Sequence, residues 1–293
     1  MTTSNPDDSL HHCPMDVERR FGSVDRAYGQ AVTDGLGQRH VVVVGLGGVG
    51  SWAAEALARS SVGHLTLIDL DHVAESNINR QVHALQNTIG QAKVIAMQQR
   101  IGQINPQCQV DLVEEFVQAN NVNELIPDSA DVVLDCTDQL SAKVAMVLCA
   151  RQRQQSLLVC GAAGGKTDAL SLRFGDLRDS THDALLARLR STLRKQYGFA
   201  QASAKRTPRM GVPVLWFEQP AHRPVSIASS ESVFMPLACA GYGSLVTVTA
   251  AMGLAAAGKT LGWLVEQKPS DYRTDNDTGQ SPGIIEPKLL IDQ

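Results

Sequence analysis

Along the chain, short uninterrupted apolar runs alternate with stretches whose apolar positions recur every three or four residues. "HVVVVG" (40–45) is apolar without a break, the pattern of a strand covered on both faces of a parallel sheet. "GSWAAEALARSSV" (50–62) follows with apolar positions at helical spacing. "HLTLIDLD", "QVDLVEEF", "ADVVLDCTD" and "SLLVCGAAGG" predict further strands, with "AKVIAMQQRIGQI" and "KVAMVLCARQRQ" as helices between them. A helical pattern also starts at "RFGSVDRAYGQAV". Such alternation specifies an α/β fold, a doubly wound and mainly parallel Rossmann-like sheet. After Gly165 the rhythm changes to an amphipathic helix ("HDALLARLRSTLRKQYG"), a loop ("AQASAKRTPRMG") and another strand ("VPVLWFEQ").

The expected organisation is one domain, 20–267, between a polar, flexible lead at 1–19 and a disordered tail at 268–293. His11 and His12 fall in the lead and read as part of a mobile segment rather than as metal ligands. From Ser232 to Gly258 no residue carries a formal charge, but Pro236, Gly241 and Gly243 interrupt the run. A span needs about 20 strongly apolar residues, so this stretch reads as a buried strand and helix, with peripheral membrane attachment as the alternative.

Hydrophobic residues at 43% and charged ones at 19% suit a globular enzyme. The six cysteines (Cys13, Cys108, Cys136, Cys149, Cys160 and Cys239) include no C-x-x-C pair, which removes a zinc site built from such pairs. The start lacks a basic segment followed by an apolar one, so a cytoplasmic location with free thiols is expected. The formal net charge of −4 is neutral on the question of nucleic acid, because local clustering outweighs the sum. Clustering exists: residues 186–209 hold Arg188, Arg190, Arg194, Lys195, Lys205, Arg206 and Arg209 and no acidic residue. A solvated helix face and loop would look the same.

The chemistry concentrates in three motifs. Gly45, Gly47 and Gly50 form G-x-G-x-x-G between a strand and a helix, where backbone and helix N-terminus can receive a phosphate. Asp69 ends the next strand, placed to grip ribose hydroxyls. Alone, this set points to a nicotinamide dehydrogenase. The stretch "DLDHVAESNINRQV" then brings Asp71, Asn79, Arg80 and Gln81, and Lys93 follows in "GQAK". Two cations converging on phosphates suit a triphosphate whose α–β linkage breaks. Asp135 and Asp138 in "LDCTDQ" end a strand, where a carboxylate can hold Mg2+ bridging those phosphates.

GLGGVGS, SNxNRQ and DCTD in this order resemble the E1-like superfamily of adenylating enzymes, which includes ThiF- and MoeB-type proteins. The resemblance implies that Gly45, Gly47 and Gly50 line the phosphates and Asp69, with Asp71 beside it, the ribose. It implies that Asn79, Arg80 and Lys93 contact the phosphate chain, that Gln81 shapes the site, and that Asp138 positions the metal. Such enzymes are usually homodimers in which an arginine reaches the partner's phosphates. Arg26 or Arg20 could serve here.

"RFGSVDRAYG", "GLGGVGSWAAEALARS", "NINRQVHAL", "RIGQINPQCQV" and "CAGYGSLVTV" are similar to the tRNA threonylcarbamoyladenosine dehydratase branch of that superfamily, from about Arg20 to about Trp263. That branch implies ATP-dependent cyclisation of threonylcarbamoyladenosine at position 37 of a tRNA through an acyl adenylate. The basic residues of 186–209 become candidate tRNA contacts, with Tyr197, Phe199, Trp216 and Phe217 the nearest aromatics for base stacking. A cysteine desulfurase system becomes a candidate partner, and Cys239 a candidate thiol that also fits as a packed side chain. Cys136 reads as a filler at a strand end. The alternative is a MoeB/ThiF-like activator of a ubiquitin-like sulfur carrier, for which the zinc-binding C-x-x-C pairs are missing.

Overall fold

The computed structural model describes residues 16–201, 207–222 and 242–266. Two helices, α1 (Val17–Tyr28) and α2 (Val32–Leu36), precede the first strand. The chain then runs through β1 (His40–Val44), α3 (Gly50–Arg59), β2 (His64–Ile68), α4 (Lys93–Ile104) and β3 (Gln109–Val113). A short α5 (Val122–Leu125) leads to β4 (Val132–Asp135), α6 (Leu140–Arg153) and β5 (Ser156–Cys160). Last come β6 (Leu172–Asp176), α7 (Ala184–Gln196), β7 (Pro213–Phe217) and α8 (Val246–Glu266).

Among the described residues the strands form one seven-stranded sheet in the order β3-β2-β1-β4-β5-β7-β6. All neighbours are parallel except β6, which runs antiparallel to β7 at the edge. The doubly wound, mainly parallel sheet expected from the alternation is what forms. Strand residues alternate between two cores, as a pleat requires. Val41 and Val43 face one packed layer that includes residues of α3, α4 and α8. Val42 and Val44 face the other, with residues of α6 and α7. All of β1 is buried, which explains its unbroken valines: each methyl-bearing side chain removed from water contributes on the order of 1.5 kcal/mol or more.

Differences from the expected boundaries have local causes. α1 begins at Val17, inside the lead expected at 1–19, because Asp16 caps it by accepting a hydrogen bond from the Arg19 amide at 3.0 Å. β6 ("LRFGD") is only five residues long and its apolar alternation stops at Phe174, so the sequence does not mark it as a strand; only its last residue is buried. Of the uncharged stretch 232–258, the strand part lies outside the described residues, and the helix starts at Val246.

The winding fixes where a ligand can sit. After β1 the chain builds outward through β2 and β3, then returns to lay β4 on the other side of β1. The loops leaving β1 and β4 therefore diverge in opposite directions. A crevice opens between them at the carboxyl ends of the strands.

Candidate active site

The loop after β1 and the loop after β4 meet in that crevice. Gly45 has φ +87°, a conformation that a side chain disfavours, and a β-carbon there would lie 3.1 Å from the Cys136 carbonyl carbon. At Gly50, the first residue of α3, a β-carbon would fall 1.9 Å from the Gly45 oxygen. Gly47 differs: a β-carbon there would meet nothing within 4 Å. The loop is thus tight against the protein at Gly45 and Gly50 and open at Gly47, next to the N-terminal turn of α3. Free amides and the helix dipole at that turn favour an anion.

Asp69, leaving β2, holds this loop. Its Oδ2 accepts from the Leu46 amide at 2.6 Å and its Oδ1 from the Asp71 amide at 2.9 Å. Burial pushes its carboxyl above the usual range, and the nearby Lys93 ammonium counters that. Lys93 is itself buried, at the first turn of α4, with Nζ 2.7 Å from Asp71 Oδ2 and 3.9 Å from Asp69 Oδ1. Asp71 is the more open carboxylate, with 56% of its side chain exposed.

Arg80 joins from the segment between β2 and α4. Its Cγ would lie 3.2 Å from a β-carbon on Gly48, so its stem runs beside the glycine loop. The guanidinium is oriented by the Ser76 carbonyl at 2.8 Å and Asn79 Oδ1 at 2.9 Å. The Trp52 indole donates to the Arg80 carbonyl at 3.0 Å, fastening the segment to α3. Asn79 in turn donates to the Ser244 carbonyl at 2.9 Å, at the approach to α8. Gln81 is buried, with no partner for Oε1 among the described residues.

The two aspartates after β4 separate. Asp138 is exposed and makes no hydrogen bond or ion pair with the described residues, which leaves its carboxylate for a hard cation. Asp135, offered by sequence as an equivalent carboxylate, is fully buried instead. Its Oδ1 accepts from Thr137 N at 3.1 Å, Thr137 Oγ1 at 2.8 Å and Lys143 Nζ at 3.1 Å. Burial raises the Asp135 carboxyl, with the Lys143 ammonium opposing. Lys143, fully buried on α6, also donates to the Cys160 carbonyl at 2.7 Å, tying the ends of β4 and β5 together. Sequence reading missed Lys143; its signal was a lone cation inside the apolar run "KVAMVLCA". Cys136 acts as expected, as a filler: its Cβ would be 3.1 Å from a β-carbon on Gly50, and its Sγ is 3.9 Å from Cys160 Sγ.

The other expected site residues fare unequally. Arg26 is exposed on α1, whereas Arg20 donates to the Ile104 carbonyl of its own chain at 3.0 Å. Arg26 is therefore the freer of the two to reach a partner. Arg188 and Lys195 are exposed on α7, and Arg194 and Arg209 are half-buried. Arg190 is a correction: its Nη1 donates to the carbonyls of Leu177 and Ser180, both at 2.9 Å, and to Ser180 Oγ at 2.8 Å. It is half-buried and its guanidinium is spent on holding a turn. Phe199, Trp216 and Phe217 are buried in the core and cannot stack on a base, which leaves Tyr197 exposed. Lys205, Arg206 and Cys239 lie outside the described residues.

Another group with metal-ligating chemistry, His40, His64 and Asp111, sits toward the amino-terminal ends of β1–β3, the edge opposite the crevice. His40 Nε2 already pairs with Thr66 Oγ1 at 2.8 Å and His64 Nε2 with Asp111 Oδ2 at 2.7 Å, and the two rings stack at 3.6 Å.

The model of the ThiF family matches residues 23–280. A tRNA threonylcarbamoyladenosine dehydratase of Haemophilus influenzae is 36% identical over 252 residues, 86% of this chain and 95% of that protein. One of Escherichia coli is also 36% identical, over 83% of this chain and 92% of that protein. The crystal structure of the E. coli enzyme TcdA in complex with ATP superposes with a TM-score of 0.76 at 35% identity, covering 85% of this chain and 95% of that one.

Proposed function

Because the chain belongs to the ThiF family, we propose that it is an ATP-dependent tRNA threonylcarbamoyladenosine dehydratase that adenylates the threonyl carboxylate and then closes it into a ring. The observation that carries this reading is a convergence. Arg80 packs beside Gly48, Asp69 links the Leu46 amide to the surroundings of Lys93, and Asp138 follows Cys136, which packs against Gly45 and Gly50, so segments more than ninety residues apart gather around the glycine loop. Nearly full-length relatives of that name support the substrate.

In the first step a threonyl carboxylate oxygen attacks the α-phosphorus of ATP. The new O–P bond forms as the bridging α–β bond breaks, and pyrophosphate departs. The α3 N-terminus and Arg80 stabilise the charge that builds on the phosphoryl oxygens. Lys93 exchanges Asp71 for phosphate oxygens. Asp138 fits Mg2+, which when bound neutralises phosphate charge. In the second step the carbamoyl group attacks the activated carbonyl carbon and gives up one proton to water, and AMP leaves with the electron pair, so over both steps the nucleoside has lost one water. Both reacting groups belong to one side chain, so proximity supplies much of the rate and no enzyme nucleophile is needed.

The enzyme works as a homodimer, with Arg26 reaching the partner's phosphates. Its RNA contacts are Arg188 and Lys195, exposed on α7, together with the half-buried Arg209; Arg194, whose Nε donates to the Ala200 carbonyl, holds the end of α7 instead. It acts in the cytoplasm. A cysteine desulfurase system as accompanying partner rests on the family resemblance alone.

The test is tRNA incubated with the protein, ATP and Mg2+, digested to nucleosides and read by mass spectrometry. Threonylcarbamoyladenosine should lose one water, and the loss should vanish without ATP and in Arg80→Ala. An unchanged nucleoside with ATP–pyrophosphate exchange retained would move the activated carboxylate to a protein partner of the ubiquitin-like kind.

A further inference from the structure

A second cavity, about 670 Å3, lies between α1, the 83–88 segment and α4. Its walls bring three guanidinium groups together from different elements: Arg20 on α1, Arg59 on α3 and Arg100 on α4. One buried carboxylate, Glu55, answers two of them: it pairs with Arg59 at 2.8 Å and takes the fork of Arg100 bidentately, from Nε and, at 3.1 Å, from Nη2. Three positive charges against one negative leave an excess of two facing the cavity. Arg20 gives one N–H to the Ile104 carbonyl and keeps the rest of its fork.

His83 lines the same cavity. Only 1% of it is exposed, yet neither ring nitrogen has a hydrogen-bond partner among the described residues. A buried polar group without a partner costs about 1–3 kcal/mol, so such groups are normally satisfied by something. Gln99 and Gln103 also line the space, beside Phe21, Leu85, Ala96 and Ile104, so polar groups and apolar surface share its wall. Its size is ordinary for a small-ligand site.

We propose that this cavity binds a phosphate-bearing anion, held by the fork of Arg20 and by the N–H groups that Arg100 does not spend on Glu55, with His83 donating to a phosphate oxygen. Guanidinium forks match phosphate oxygens in pairs, and a neutral imidazole supplies one donor. The phosphate could belong to free pyrophosphate or to the backbone of an RNA. The site is separate from the glycine loop, and its existence does not depend on which carboxylate the enzyme activates. The two are nonetheless joined by sequence: Arg80, beside the glycine loop, and His83, in the cavity wall, are three residues apart.

The experiment is titration calorimetry of pyrophosphate into the full chain whose glycine-loop site is saturated with a non-hydrolysable ATP analogue. A second saturable binding event is expected. It should weaken at least tenfold in Arg20→Gln and in His83→Phe, while the affinity of Arg20→Gln for the ATP analogue stays that of the wild type. Arg20 is exposed on α1, so this variant decides the matter even if His83→Phe does not fold. The absence of a second event in the wild type, or its survival at full strength in the variants, would overturn the proposal. An anticodon stem-loop RNA that competes with pyrophosphate for the wild type, and loses affinity in Arg20→Gln, identifies the phosphate as RNA backbone. Failure to compete identifies it as a small anion.

Discussion

The contrast between Gly47 and Gly50 allows binding to be separated from folding with a single methyl group each. At Gly50 two effects oppose. Alanine is favoured over glycine in a helix by up to ~1 kcal/mol. Against that, the new β-carbon would stand 1.9 Å from the Gly45 oxygen and 3.1 Å from Cys136 Cβ. The first neighbour is backbone of a loop held by Asp69, so it cannot yield as a flexible side chain would. Overpacking of this kind costs about 1–3 kcal/mol or more, so the clash wins and Gly50→Ala loses on the order of 1–2 kcal/mol net. In a chain of this size that lowers Tm by several degrees, at ~2–4 °C per kcal/mol. Gly47→Ala meets nothing within 4 Å and needs no left-handed backbone, so its stability should stay within ~0.5 kcal/mol of wild type. Its methyl would instead occupy the side of the loop open to a phosphate. ATP affinity should fall at least tenfold, about 1.4 kcal/mol. Thermal denaturation of both variants and calorimetric ATP binding make the comparison. A Gly47→Ala protein that binds ATP as the wild type does would refute the placement of the phosphate. A Gly50→Ala protein with unchanged Tm would refute the steric account.

Three other outcomes are expected. Lys143→Met leaves the Asp135 carboxylate buried without its ammonium, which should cost ~3–5 kcal/mol in urea unfolding, and Asp135→Asn added to it should recover part of the loss. An equally stable single variant would mean the pair contributes nothing. His83 has its imidazole pKa held down to about 4, chiefly by burial and secondly by the charge of Lys93. The unfolded chain, titrating near 6.5, therefore binds more protons between these values, so stability declines as pH falls through that window, by roughly 3 kcal/mol in total. Denaturant midpoints measured from pH 7 down to pH 4 should show this slope, and His83→Phe should flatten it. Finally, Arg188→Glu with Lys195→Glu should reduce the salt dependence of tRNA binding by about one unit per phosphate contact removed and leave ATP affinity alone. Arg190→Gln should lower stability through the 177–180 turn without moving that slope. An unchanged slope in the charge reversal would place the RNA elsewhere.

What could be read in the sequence depended on whether the signal was local. The valines of β1 and the periodicity of α3 are local facts, and both elements fall where the pattern puts them. The glycine motif was legible because a tight loop excludes other residues. β6 was not legible, since an edge strand with one covered side can carry "LRFGD" without penalty. Side-chain partners were the least accessible. Asp135 and Asp138 look alike in "DCTD", and only the arrival of Lys143 from α6 makes one a buried strut and leaves the other open. Arg188 and Arg190 differ in the same way: two residues on a helix turn by 200°, one outward and one onto Ser180.

α8 has the length and composition of a helix that could cross a bilayer, yet half of its most apolar window is buried inside the protein. Its Gly253 lies so close to α3 that a β-carbon would be 2.3 Å from the Val49 oxygen, and its Thr249 crowds Gly48 of the glycine loop. The helix is the back wall of the nucleotide crevice. Withdrawing it into lipid would strip α3 and the glycine loop of that wall, so bilayer insertion and nucleotide binding exclude each other. Any attachment of this protein to a membrane must leave α8 where it is and use another surface.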